Sequence, residues 1–365
     1  MRIALATDWW PPRIGGVESQ VADLASALAA RGHDVHVLTT MREPVPLAGV
    51  SVERVDFPMI GNIAAPDLRR VADIAAHLAR TAPDVVHAHG MFSSLAIGAI
   101  VAASRLGLPS VSTVHSMLRP WGVFLGGCAI FRLFSNRADV LTAVSAATAA
   151  DVRRASGRQA LQIPNGLHLS EWRVPRRRAD GLRIVSVMRL VAKKSPLDVI
   201  GAFHEAVRRV PRADLSLTIA GGGPERARLE REARRHGLGE HVRFLGACTR
   251  AGIRNLLAGA SIFVLPGRLE AFGLALLEAR AAGVPVVAMN AGGVPDLVRH
   301  RCHGLLADTT RGFHAALAEL VMDDDLRASC ATNAPLGLEA FDWPEVVRQH
   351  EASYGAALQN RGRAH

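Results

Sequence analysis

Apolar residues in this chain fall into short continuous runs separated by stretches with helical spacing. Ile3 to Ala6, Val35 to Leu38, Val85 to His89, Ser110 to Val114 and Val140 to Val144 are such runs, and Val17 to Arg31 carries helical periodicity up to Gly32. Strands that are apolar on both faces and alternate with helices predict a parallel sheet covered on both sides. A second series repeats the pattern. Arg183 to Val187, Asp214 to Ala220, His241 to Leu245, Ile262 to Leu265 and Val284 to Ala288 read as strands, with helices over Pro196 to Val210, Glu225 to His236 and Thr249 to Ala258. Between the series, Gly166 to Gly181 is polar, basic and aperiodic, the composition of an interdomain linker. The expected division is a first domain over 1–168, a linker over 169–182, a second domain over 183–338 and a closing helix over 339–365 that returns to the first domain. That helix opens with Asp342 as N-cap and Pro344 and Glu345 in its first turn. Two doubly wound halves place ligands at the carboxyl ends of their strands, and two such halves facing each other imply an interdomain cleft.

With 365 residues, 49% of them hydrophobic, the chain has material for two cores and is not a disordered composition. The net charge of +10 suits an anionic partner such as nucleotide phosphate or an anionic membrane surface. Part of it sits in runs such as Arg176-Arg177-Arg178 and Arg234-Arg235, which fit a solvated surface equally well. Nucleic acid is not an expected partner, because interleaved aromatics and a recognisable module are both missing. Cys128, Cys248, Cys302 and Cys330 are scattered without the spacing of a zinc site or a disulfide framework. The first apolar run is too short for a signal segment and no window is long enough to span a membrane, so a cytoplasmic chain is expected.

Chemistry concentrates in Leu265-Pro266-Gly267-Arg268-Leu269-Glu270-Ala271-Phe272-Gly273-Leu274-Ala275-Leu276-Leu277-Glu278. An apolar strand ends at Pro266, and a helix starts near Phe272 or Gly273, so backbone N–H groups and the helix dipole form an anion site suited to a diphosphate. Glu270 precedes that start and Glu278 lies one to two turns inside. At ~1.5 Å per residue their carboxylates are roughly 10 Å apart, the span of a sugar, a diphosphate and a ribose. A second loop, Arg189 to Ser195 with Lys193 and Lys194, follows the first strand of the second half and can neutralise a leaving diphosphate. That charge removes the need for a metal. Asp323-Asp324-Asp325 reads as a helix cap or surface turn rather than as metal ligands.

Weaker signals follow other strands. Gly15-Gly16 permits close backbone approach of a ligand where a helix begins, or simply makes a tight turn. Gly221-Gly222-Gly223-Pro224 reads as an ordinary structural helix start. His87, His89 and His115 stand at or beside strand ends, each readable as a satisfied core residue or a neutral hydrogen-bonding group. His87 and His89 share one face of their strand, but no third residue completes a metal site.

Together, Gly15-Gly16-Val17-Glu18, Val144-Ser145, Ile163-Pro164-Asn165-Gly166, Arg189 with Lys194, and Glu270 with Glu278 eight positions on resemble the retaining family 4 glycosyltransferases of the GT-B fold, over nearly the whole chain. The resemblance implies two facing Rossmann-like domains and a nucleotide-sugar donor, UDP-linked in the leading reading. By position, Glu270 would contact donor sugar hydroxyls and Glu278 the ribose. Arg189, Lys194 and the backbone of Ala271, Phe272, Gly273 and Leu274 would hold the diphosphate, and Gly16 would lie near the phosphates or acceptor. His115 matches the active-site histidine beside the transferred sugar. Family members transfer with retention by front-face attack, without metal or covalent nucleophile. Ser195 departs from the glycine usual after the lysine. That family pattern makes His115 and Glu270 the catalytic candidates. Within the family, His87-Ala88-His89-Gly90-Met91-Phe92-Ser93-Ser94 and Val114-His115-Ser116-Met117 resemble the subunit that moves N-acetylglucosamine onto phosphatidylinositol, which favours UDP-N-acetylglucosamine as donor. The acceptor is a small molecule, a glycan or a lipid. The stretch Trp121 to Phe134, with Leu118, Arg119 and Arg132, fits either peripheral membrane contact or a buried helix lining the acceptor pocket. A UDP-sugar 2-epimerase of the same architecture is the competing enzyme.

Overall fold

The computed structural model describes residues 1–13, 15–57, 59–60, 63–64, 68–90, 93–118, 131–177, 181–210 and 214–363. They fall into two compact units, one of Met1–Gly166 with Ala340–His365, the other of Leu167–Glu339. In the first, a seven-stranded sheet runs in the order Val50–Arg54, Asp34–Thr39, Arg2–Thr7, Val85–His89, Ser110–Val114, Val140–Ala143, Leu161–Gln162. Every pairing in it is parallel, with Leu5 opposite both Val37 and His87. Apart from the exposed Arg2, the central strands are buried along their length, which is why they are apolar on both faces. The order reverses beside Arg2–Thr7, so the carboxyl ends of Arg2–Thr7 and Val85–His89 flank the topological switch point.

The second unit repeats the plan with six parallel strands in the order Val242–Gly246, Leu215–Ala220, Leu182–Val187, Ile262–Leu265, Val286–Met289, Gly304–Ala307. Its switch point lies between Leu182–Val187 and Ile262–Leu265, the two strands that feed the Arg189–Lys194 and Glu270 loops. Within the basic stretch 169–182, Leu169–Trp172 forms one helical turn with Trp172 buried.

The last helix, Trp343–Gly362, belongs to the first unit and is capped by the Asp342 carboxylate, which accepts from Trp343 N at 3.1 Å. Its buried stripe of Trp343, Val346, Val347, Tyr354 and Ala357 joins the core with Ile3, Leu5, Val21, Leu24 and Val111. His350 lies on the same stripe.

Several elements escape the hydrophobic pattern, among them an edge strand of each sheet and a late helix. Val50–Arg54 is an exposed edge strand, where burial imposes little patterning. Gly304–Ala307 contains no β-branched residue. Thr310–Met322 is a helix capped by Thr309, whose hydroxyl accepts from Gly312 N, with Phe313, Leu317, Leu320 and Val321 facing the core. The triple aspartate is a helix start: Asp323 accepts from Leu326 N at 2.8 Å and caps Asp324–Asn333.

The helix Leu274–Ala281 is pinned by Arg280, which is 2% exposed. Its guanidinium donates to the carbonyls of Ala334 (2.9 Å), Leu336 (2.7 Å) and Leu297, and burial pulls its pKa down to about 10. Arg280→Met would strand these carbonyls, costing about 3 kcal/mol. Thermal unfolding of the variant is therefore expected to fall by roughly 6–12 °C, and an unchanged midpoint would contradict the pinning role.

Candidate active site

In the first unit the strand ends converge on a histidine cluster. His87 is fully buried; its Nδ1 stands 2.9 Å from the Tyr354 hydroxyl and its Nε2 2.6 Å from Thr113 Oγ1, which pairs with Thr142 Oγ1 at 2.5 Å. The His89 ring lies 4.0 Å from that of His87, centroid to centroid, and its Nδ1 meets His115 Nε2 at 3.0 Å. His89, His115 and His350 line a small, mainly apolar pocket with Gln20, Thr113, Asn165, Gly166 and Trp343. Burial holds His115 at about 4, with the Asn165 side chain opposing, and His350 at about 3. His87 and His89 are driven well below the ordinary range, first by burial and then by neighbouring rings. These imidazoles are neutral at pH 7.

The segment Ile163-Pro164-Asn165-Gly166 is fixed from two sides. Gln20 donates to Gly166 O and accepts from Gly166 N, both at 2.8 Å. A Cβ on Gly166 would stand 2.5 Å from the Trp343 ring, so only glycine fits beneath it. Nearby, Gly15 precedes the helix Gly16–Ala30 in extended conformation, and Glu18, 5% exposed, pairs with Arg13 at 2.9 Å. Asp8, at the end of the first strand, is raised by burial to about 6 while it accepts from Leu95 N at 3.3 Å.

In the second unit the loop after Leu182–Val187 is clamped to the glycine turn. Leu190 N donates to Gly222 O at 2.8 Å and Glu225 N to Leu190 O at 3.0 Å. The turn Gly221–Gly223 thus holds the loop bearing Arg189. Lys194, 16% exposed in its side chain, pairs with Glu270 at 2.5 Å. Lys193 is depressed by burial and by the charges of Arg189 and Lys194, and Glu270 opposes that shift. All four charges therefore act on one locale.

The Glu270 loop is seated on a second glycine pair. Gly293 N donates to Glu270 O at 2.8 Å. Gly292 has φ +61°, and a Cβ there would meet Glu270 O at 2.1 Å. Beyond the loop, Gly273 in left-handed conformation opens the helix Leu274–Ala281, and its carbonyl accepts from Leu276 N and Leu277 N. Glu278 is 6% exposed on that helix.

Of the residues singled out from sequence, the structure brings Arg189, Lys194 and Glu270 together in the second unit, with Ala271, Phe272, Gly273 and Leu274 running from Glu270 into the helix that bears Glu278. Gly16 and His115 belong to the first unit. Sequence reading missed Gln20 and His350, and placed Asn165 within the Ile163–Gly166 motif without giving it a role. A histidine on the otherwise apolar stripe of Trp343, Val346 and Tyr354 was the available signal for His350. His87 and His89 do face the same way, and among the described residues no group of three His, Cys, Asp or Glu side chains is placed to hold a metal. Most of the Trp121 to Phe134 stretch, and Arg119, lie outside the described residues; Phe131 and Phe134 are buried in a hydrophobic cluster, while Arg132 and Leu133 are exposed. Among the described residues no helix is long and apolar enough to cross a membrane.

Residues 14–171 match Glycosyltransferase Family 4, and residues 171–336 match Glycosyl transferases group 1. The chain is a family 4 glycosyltransferase. The glycogen synthase of Mycobacterium tuberculosis is 30% identical over 98% of this glycosyltransferase and 95% of that protein. One phosphatidylinositol N-acetylglucosaminyltransferase subunit of Homo sapiens is 28% identical over 87% and 69%. The GDP-mannose-dependent alpha-(1-6)-phosphatidylinositol monomannoside mannosyltransferase of M. tuberculosis is 29% identical over 89% and 90%. Among solved structures, Anabaena HepE in complex with UDP matches with TM-score 0.79 and 21% identity over 98% of this chain and all of that one. Sucrose-phosphate synthase of Thermosynechococcus elongatus matches with TM-score 0.80 and 21% identity over 97% and 98%. The fold of this glycosyltransferase is GT-B, and none of the proteins named here is an epimerase.

The buried histidines give the folded enzyme an acid limit. Their folded pKa values lie below the value of 6.5 that an unfolded chain would show. Above pH ~7 both states are neutral and nothing is lost; as pH falls from ~6.5 towards 4, the unfolded chain binds protons the folded one refuses, and stability drops. His350→Leu is expected to lose about 1–2 kcal/mol less than wild type between pH 6.5 and 4.5 in denaturant titrations. Parallel losses would contradict the assignment.

Proposed function

We propose that this glycosyltransferase moves a hexose, with N-acetylglucosamine the leading choice, from a nucleoside diphosphate sugar to an acceptor hydroxyl with retention of anomeric configuration and without a metal. The observation that carries the reading is the Lys194–Glu270 pair beside Arg189 and Lys193, at the approach to the helix Leu274–Ala281. Three cations and a helix N-terminus supply what a departing diphosphate needs, a preorganised positive field. In that reading Arg189, Lys194 and the backbone of Ala271 to Leu274 hold the diphosphate. Glu270 takes sugar hydroxyls and Glu278 the ribose. Gly16 allows close approach at the start of the first unit's leading helix. His115, neutral at pH 7, meets the reacting sugar as a hydrogen-bonding group, not as a cation or a strong base.

The chemistry needs no enzyme nucleophile. The bond from the anomeric carbon to the phosphate oxygen breaks, the bond to the acceptor oxygen forms on the same face, and the acceptor proton passes to the departing diphosphate. UDP is favoured as the leaving group because the Anabaena structure holds it and the human relative is named for N-acetylglucosaminyl transfer. The mannosyltransferase relative is GDP-mannose-dependent, which makes GDP the chief rival. The two relatives named for phosphatidylinositol substrates favour a lipid acceptor bearing an inositol headgroup, reached by peripheral contact with a cytoplasmic membrane face.

A thermal-shift panel of UDP-, GDP- and ADP-sugars in EDTA should show stabilisation by one nucleotide set; stabilisation that disappears with EDTA would refute the metal-free reading. Glu278→Ala is expected to weaken donor binding by ten-fold or more. His115→Ala is expected to lower kcat by roughly a hundred-fold with donor KM little changed. Normal kinetics in both variants would overturn the site assignment.

A further inference from the structure

Lys194 Nζ donates to Glu270 Oε2 at 2.5 Å, with side chains only 16% and 14% exposed. An ion pair so little exposed is costlier to break than a solvated surface pair. Backbone holds both partners. Lys194 ends the turn Ala192–Lys194, its N–H donates to Val191 O at 2.9 Å, and Ser195 follows in left-handed conformation. A Cβ on Gly267 would lie 3.6 Å from Lys194 Cδ, so the loop that leads to Glu270 runs against the lysine stem. Glu270 O in turn accepts from Gly293 N at 2.8 Å. The ammonium assigned above to the diphosphate thus already carries a carboxylate partner.

We propose that Glu270 competes with the diphosphate for Lys194, and that sugar hydroxyls decide the contest. A sugar nucleotide gives Glu270 hydroxyl donors in exchange for the ammonium, which frees Lys194 for the phosphate oxygens. A nucleoside diphosphate without its sugar must break the pair and leaves Glu270 with no replacement. Glu270 therefore favours the donor over the spent diphosphate and helps to expel the latter. The proposal rests on reading this locale as the diphosphate site, and it adds a release step to that reading.

Charge works in the same direction. Arg189, Lys193 and Lys194 set against Glu270 leave a net balance of two positive charges. A nucleoside diphosphate sugar, with one ionised oxygen on each phosphate, matches that balance. At transfer the diphosphate leaves with the acceptor's proton and is still matched. The proton then passes to water, because the last phosphate pKa is about 6, and the product gains a further negative charge at neutral pH. That charge faces a carboxylate whose hydroxyl partners have left with the transferred sugar.

Calorimetry on the full-length enzyme tests the proposal, with UDP and GDP as free diphosphates and UDP-N-acetylglucosamine and GDP-mannose as their sugar nucleotides. Glu270→Gln keeps the shape of the side chain and removes its charge. The variant is expected to bind the diphosphate that wild type accepts about ten-fold more tightly. The matching sugar nucleotide should not share the gain, so the preference for donor over product falls by about the same factor. An unchanged or weakened diphosphate affinity in Glu270→Gln overturns the proposal, as does an equal gain for both ligands. Lys194→Met separates this from the underlying reading. If that variant binds the diphosphate as wild type does, or if wild type binds neither nucleotide, the diphosphate site itself is misplaced. If Lys194→Met is weakened while Glu270→Gln is no tighter, the site stands and the competition falls.

Discussion

The Lys194–Glu270 ion pair, with both side chains mostly buried, sets a carboxylate among three neighbouring cations, of which Arg189 and Lys193 are exposed. Without a carboxylate among them, Arg189, Lys193 and Lys194 would repel one another. Glu270 relieves that repulsion, and its own place is fixed by Gly292 and Gly293, which bring a neighbouring loop against its backbone. The helix Leu274–Ala281 starts from the same segment and is pinned at its far end by Arg280.

The first unit solves the opposite problem. Its strand ends gather imidazoles with almost no countercharge, and burial keeps them neutral. Neutral rings can be packed against each other and linked by single hydrogen bonds, which gives orientation without net charge. One unit thus gathers charge and the other gathers neutral hydrogen-bonding groups.

Much of this was legible in the sequence. The continuously apolar runs gave away the buried parallel strands, because burial on both faces leaves no room for polar alternation. The Glu270 and Glu278 pair stood out because a carboxylate on an apolar helix needs a reason. What stayed hidden depends on contacts far apart along the chain. Gly166 reads as an ordinary turn until Trp343 is seen lying on it. The Gly221–Gly223 turn reads as a plain helix start, whereas it anchors the Arg189 loop. Gln20 and His350 carry no local motif, and their roles appear only once the closing helix is packed against the first sheet.

The central claim is that the basic locale around Lys194 and Glu270 exists to hold a diphosphate. Calorimetric affinities for UDP and UMP, compared between wild type and Lys194→Met, test it most directly. The account predicts that wild type prefers UDP by ten-fold or more and that the preference collapses towards unity in the variant. A preference that survives the substitution unchanged would contradict it.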